Sequence, residues 1–291
     1  MQNLIPTPLA TPLHSISDRS SEIKLLVLDI DGTISGVNNE IQEPVKQAIK
    51  AAQAKGVQVA IATGRMFRSS LRFHEEVGST LPLIAYQGAW IQDTVTLQVH
   101  RHWPVSIPTA LQLLEHFEQD GLRDLLSVHF YVNDQLYIRE MTPVTQAYCE
   151  RSEVEPIAIG DLRQVLTDEP TKVLALSDDC DIIEHLLGSL RQRYTPAELY
   201  LTKSVATFFE AANPFVNKGV AVRYLAEEML GLQAANVMAI GDNFNDVEML
   251  EYAGIGVAMG NGPADVQAIA DWVAPSIELN GVAAAIENFL L

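Results

Sequence analysis

The feature that most constrains this chain is a strand–helix rhythm that begins, breaks off for a long stretch and then resumes. Lys24-Leu-Leu-Val-Leu-Asp-Ile-Asp31 is an almost unbroken apolar and β-branched run, the pattern of a strand buried on both faces of a parallel sheet. Pro44 stands where a first helical residue would, Val45, Ile49 and Ala52 recur at helical spacing, and Gly56 provides a stop. A second buried strand over 57–62 runs directly into Thr63-Gly64-Arg65, so the unit reads as βαβ with both strands ending in polar residues. Leu83-Ile-Ala-Tyr86 reads as a third strand ending at Gln87-Gly88, with a hairpin-like stretch over 90–103 behind it.

From about 104 to 207 the pattern changes. Helical spacing covers 109–119, 144–151 and 182–193, and strand patterns cover 127–132, 135–140, 172–176, 199–203 and 206–210, the first two paired around Asn133-Asp134. Strands joined by both tight turns and helices imply an α+β insert with an open sheet. The βα rhythm returns at Asn217-Lys218-Gly219, which opens a helix through 230. A buried strand over 236–240 ends in Gly241-Asp242, a helix covers 246–252, and a short strand covers 254–258. The expected fold class is α/β: a Rossmann-like parallel-sheet core, residues 23–103 and 208–291, with an inserted α+β cap domain, residues 104–207. Residues 1–22 are rich in Pro, Ser and Thr and lack a basic start followed by an apolar block. They read as a mobile tail rather than a signal peptide.

Composition narrows the partners. A net charge of −18 without a Lys/Arg-rich stripe argues against nucleic acid and against an anionic membrane surface. No apolar run reaches the roughly 18–20 residues of a membrane span. Two cysteines without regular spacing, Cys149 and Cys180, indicate free thiols and a cytoplasmic setting. Oligomeric state is not legible.

Ligands of open α/β sheets bind beyond the carboxyl ends of the strands, and four polar groups stand there. Asp29 and Asp31 flank one residue at the end of the first strand, and strand alternation would send both side chains to one side. They suit either a hard cation such as Mg²⁺ or a cap and a turn before Gly32. Asp242 follows a buried strand, in place to complete a cation shell. Asp246 is equally a plain N-cap for the next helix. Thr63 and Gly64 offer a hydroxyl and backbone N–H groups, an anion site in form. Arg65 either reaches a ligand or fastens its helix. Lys218 at a helix start is locally unfavourable unless an anion offsets it. His100, His102, His116, His129 and His185 show no metal-ligand spacing, and Trp90, Trp103 and Trp272 read as packing residues.

As a set, Asp29-Ile-Asp31-Gly32-Thr33, Ala62-Thr63-Gly64-Arg65, Asn217-Lys218-Gly219 and Gly241-Asp242-Asn243-Phe244-Asn245-Asp246 resemble the four motifs of the haloacid dehalogenase-like (HAD) phosphatase superfamily. With Ala253-Gly-Ile-Gly-Val-Ala-Met-Gly-Asn261 downstream, their order resembles the Cof-type subfamily with a C2B cap. Ser35-Gly36-Val37 departs from the usual apolar residue and polar turn. The resemblance implies that Asp29 is the nucleophile and Asp31 the acid–base. It implies that Mg²⁺ is held by Asp29, the Asp31 carbonyl and Asp242, and that Thr63, Gly64, Lys218 and Asn245 bind phosphate. Asp246 would orient Lys218 or a metal-bound water. The expected substrate is a small phosphate ester, commonly a sugar phosphate. A phosphomutase and a non-enzymatic phosphosugar-binding protein are the alternatives.

Overall fold

The computed structural model describes residues 23–291, so the reading of 1–22 as a tail lies outside the described residues. The chain runs β1 (Leu25–Leu28), α1 (Glu43–Ala54), β2 (Gln58–Ile61), α2 (Phe67–Glu76), β3 (Leu83–Ala85), β4 (Trp90–Gln92) and β5 (Val99–His102). It continues through α3 (Ile107–Phe117), β6 (Ser127–Val132), β7 (Gln135–Ile138), α4 (Pro143–Ser152), β8 (Ile157–Ala158), β9 (Lys172–Leu176), α5 (Cys180–Arg193), β10 (Tyr200–Val205) and β11 (Phe208–Ala212). It closes with α6 (Lys218–Arg223), β12 (Val237–Gly241), α7 (Val247–Tyr252), β13 (Ile255–Met259), α8 (Ala264–Ile269), β14 (Trp272–Ala274) and α9 (Gly281–Phe289).

Among the described residues the core sheet has the order β14-β13-β12-β1-β2, every pairing parallel. A bridge from Ala62 to Ile84 couples β3 to its edge. β1 is central, and alternation sorts its side chains between two helical layers. Leu26 and Leu28 pack with α1 and α9 residues such as Ile49 and Ile286. Leu25 and Val27 pack with Val222, Met249 and Val266 on the opposite face. All four β1 side chains are fully buried, each worth about 2 kcal/mol of transfer free energy. That is why this strand reads as an unbroken apolar run. The helix expected through 230 keeps α-helical bonding only to Arg223, and Tyr224–Met229 continue it as a π-helix.

The insert carries a second sheet of order β10-β11-β9-β6-β7-β8, antiparallel except between β7 and β8. One face, with Phe130, Val173, Ala175 and Phe209, is covered by α3 and α5. The other turns toward the core, where the Tyr131 ring meets that of Tyr86 edge-on at 5.9 Å. β11 belongs wholly to this sheet, so the insert's hydrogen bonding extends through Ala212 rather than stopping at 207. The two crossings lie side by side: the Asn213 side-chain amide donates to the Pro104 carbonyl at 3.0 Å. No helix among the described residues is long and apolar enough to cross a membrane.

Insert and core are further joined through the N-terminus of α2, whose own N-cap residue, Met66, has no capping side chain. Asp134, in the left-handed Asn133-Asp134 turn between β6 and β7, reaches across instead. Its carboxylate accepts from the Phe67 and Arg68 N–H groups at 3.0 and 2.9 Å and from the Tyr86 hydroxyl at 2.8 Å. Three buried or half-buried donors thus depend on one side chain. Asp134→Ala is expected to lower unfolding free energy by about 2–3 kcal/mol in urea melts, with faster hydrogen exchange in the first turn of α2; unchanged exchange there would contradict this coupling.

Candidate active site

A cavity of about 1090 Å³ opens between the carboxyl ends of the core strands and the inner face of the insert. Asp29, Asp31, Gly64, Arg65, Asp242 and Asn245 line it from the core. β1 ends at Leu28, just before the two aspartates, and both line the cavity but differ in exposure. Asp29 is buried, whereas the Asp31 side chain stays nearly half exposed.

Each carboxylate has its own counter-charge. The Lys218 ammonium, fully buried at the start of α6, donates to Asp29 Oδ1 at 2.5 Å and to Asp246 Oδ1 at 2.6 Å. Arg65 grips Asp31 with two nitrogens, Nε to Oδ2 at 2.8 Å and Nη2 to Oδ1 at 2.6 Å, and Nη2 also donates to Asn39 Oδ1. The fork matches a carboxylate bidentately, which a lysine could not do. Arg65, left open between reaching a ligand and fastening its helix, has Asp31 as its partner and lies on the cavity wall.

Asp246 also has defined partners. Its Oδ2 accepts from the N–H groups of Asp242 and Asn243 at 2.9 and 3.1 Å, and it makes no capping bond to the helix it precedes. It anchors the loop that carries Asp242 while fixing Lys218. Lys218 and Asp246 lie behind Asp29, away from the cavity wall, and Thr63 is likewise fully buried with its hydroxyl accepting from the Arg65 N–H at 3.2 Å.

Close approach explains two glycines in these motifs. Gly32 has φ +81, and a Cβ there would sit 2.3 Å from Asp242 Oδ2. A Cβ on Gly219 would meet the Glu248 carbonyl oxygen at 2.5 Å, pushing α6 and Lys218 off α7.

Gln87 is a site residue that the sequence reading did not single out. Tyr86 and Gln87 have φ of +51 and +60, a strained left-handed conformation for non-glycine residues. Their N–H groups donate to the Arg65 and Thr63 carbonyls, both at 2.9 Å, which brings the Gln87 side chain against Gly64. Gln87 Oε1 accepts from Asn245 Nδ2 at 3.0 Å. Its position at the end of β3 was the available signal.

The electrostatics point to a missing positive charge. Oxygens of Asp29, Asp242 and Asp246 lie within 4.8 Å of one another. Burial, opposed by Lys218 but reinforced by Asp246, Asp242 and Asp31, holds the Asp29 carboxyl well above the usual range. Asp242 is pushed up to about 7 by burial and by Asp246. Burial by itself would lower the Lys218 ammonium, but Asp246 and Asp29 overcome it and raise its pKa. One lysine does not balance this cluster, and a hard divalent cation with oxygen ligands fits it.

Comparison with known proteins agrees with this geometry. Residues 26–286 match the haloacid dehalogenase-like hydrolase family, and the chain belongs to it. It is 30% identical over 279 residues to the 5-amino-6-(5-phospho-D-ribitylamino)uracil phosphatase YcsE of Bacillus subtilis (strain 168), covering 95% of this chain and all of that one. It is 29% identical over 278 residues to the phosphatase YitU of the same name and organism, covering 91% and 97%. The crystal structure of TM0651 from Thermotoga maritima superimposes with a TM-score of 0.80 at 27% identity, covering 91% of this chain and 97% of that one. The protein is a phosphatase of the HAD superfamily, of Cof type.

Replacing Lys218 with methionine strands two buried carboxylates. A loss of about 3–5 kcal/mol in urea unfolding is expected, against less than about 1 kcal/mol if the ammonium were dispensable to the cluster.

Proposed function

We propose that this phosphatase hydrolyses a small phosphorylated metabolite, a sugar or polyol phosphate, with Mg²⁺ and through a phosphoryl group carried on Asp29. The observation that carries the reading is the buried Asp29 carboxylate, bonded to Lys218 through one oxygen on the wall of a cavity at the strand ends. The two B. subtilis relatives named for a ribitylamino-uracil phosphate support a polyol phosphate as substrate.

Asp29, Asp242 and the backbone carbonyl of Asp31 would hold Mg²⁺, which when bound offsets the repulsion between a carboxylate and a phosphate. Lys218 occupies Asp29 Oδ1, leaving Oδ2 to attack phosphorus as the ester P–O bond breaks. Asp31, oriented by Arg65, protonates the departing alkoxide oxygen. It then takes a proton from the water that attacks phosphorus and frees the Asp29 carboxylate. The Gly64 N–H and the Asn245 side chain, both on the wall, bind phosphoryl oxygens as charge spreads over them. Thr63 and Gln87 position the Gly64 turn, and Asp246 positions Lys218 and Asp242.

Asp29→Asn is expected to reduce phosphate release by at least about a thousandfold with the fold intact by circular dichroism; retained turnover would remove the covalent route. Assaying isomerised sugar phosphate beside free phosphate separates hydrolysis from a mutase reaction.

The carboxyl of Asp242 gives a pH-dependent expectation. With its folded pKa raised to about 7, the metal-free protein loses stability as pH rises from about 4 through 7, since folding favours the protonated form. A cation needs the carboxylate, so the rise in melting temperature on adding Mg²⁺ should be larger near pH 8 than near pH 6. An equal or larger rise at the lower pH would contradict this.

A further inference from the structure

The inner face of the insert sheet carries a charged pair where its pattern calls for apolar residues. Lys172 on β9 and Glu210 on β11 are diagonal neighbours on that face, because Glu210 stands opposite Leu174 in the antiparallel ladder. Their side chains are 9% and 7% exposed, with Lys172 Nζ 3.3 Å from Glu210 Oε2. The rest of the face includes buried Leu136, Ile138, Leu174 and Leu176. A buried ion pair seldom stabilises a fold more than apolar side chains of similar size, so packing does not account for this one. Both residues line the cavity that Asp29 lines from the other side, together with Tyr148, Tyr200, Thr202 and Phe208. The Lys172 ammonium lies 5.1 Å from the centre of the Tyr131 ring, and the Tyr131 hydroxyl donates to that of Tyr148 at 2.7 Å. The pair is therefore held in place from behind.

We propose that Lys172 and Glu210 recognise the leaving group and select an uncharged one that bears neighbouring hydroxyls; this rests on the phosphatase reading above. The ammonium donates to one hydroxyl oxygen while the carboxylate accepts from the next hydroxyl, and the aromatic side chains beside them pack against carbon. Because the two charges cancel, a second phosphate or a carboxylate on the substrate gains no net attraction, and Glu248, also on the wall, repels it. An apolar leaving group would cover the pair without supplying hydrogen bonds, which is heavily disfavoured.

The test compares kcat/KM for p-nitrophenyl phosphate, for triose, pentose and hexose phosphates, and for 6-phosphogluconate, which adds a carboxylate. The native protein should favour the best polyol phosphate over both other classes. A double variant, Lys172→Met with Glu210→Met, leaves no orphaned charge, and its ratio of polyol phosphate to p-nitrophenyl phosphate should fall at least about tenfold. Glu210→Gln releases the ammonium and should shift preference toward 6-phosphogluconate relative to glucose 6-phosphate by a similar factor. Ratios that stay native in both variants, including a uniform loss on every substrate, would overturn this assignment while leaving the phosphatase reading in place. A native protein that turns over no ester, p-nitrophenyl phosphate included, would overturn that reading and this one with it.

Discussion

The buried ammonium of Lys218, shared between Asp29 and Asp246, is the interaction on which the rest of the site depends. It ties the end of β1 to the loop after β12 and to the start of α6, segments that meet only because β1 and β12 are parallel neighbours at the centre of the sheet. Unpaired, any of the three charges would be costly to bury. Together they leave an excess of negative charge, which adds to burial in raising the pKa values of Asp29 and Asp242. The core layers are built to hold this arrangement: apolar on both faces of the sheet, polar only where the strands stop.

Arg65 makes a second, independent pairing with Asp31. The two aspartates of one short motif thus have different surroundings, one buried beside an ammonium and the other half exposed and held by a guanidinium. In the proposed mechanism this separation of environment lets two carboxylates so close in sequence carry out different tasks. The insert then roofs the site, locked to the core through Asp134 on the N-terminus of α2 and through the salt bridge from Arg72 to Glu153 at 3.3 Å. In the proposed mechanism the catalytic groups lie on the core and the residues that meet the leaving group lie on the insert, so phosphate chemistry and substrate choice would be physically separate parts of one cavity.

Much of the core was legible because its signals are local. Apolar runs that end in polar residues marked β1, β2 and β12, and the motifs named Asp29, Asp31, Gly64, Arg65, Asp242 and Asn245, all of which line one cavity. What was not legible depends on contacts distant in sequence. Nothing near Asp134 indicates that it caps a helix 67 residues away. The different burial of Asp29 and Asp31 was not legible either, because it depends on Lys218 and Arg65, partners distant in sequence. The place of β11 in the insert sheet follows from its partners β9 and β10, not from its own composition. Lys172 and Glu210 look like ordinary surface charges until the sheet sets them diagonally on an inward face.

Rapid acid quench of the protein with Mg²⁺ and a turned-over phosphate ester, followed by peptide mass spectrometry, tests the central claim most directly. A single phosphoryl group should appear on the peptide containing Asp29 during turnover and decay as phosphate is released. Turnover without that label, or with the label on another side chain, would contradict the assignment of the Lys218-paired carboxylate as the nucleophile.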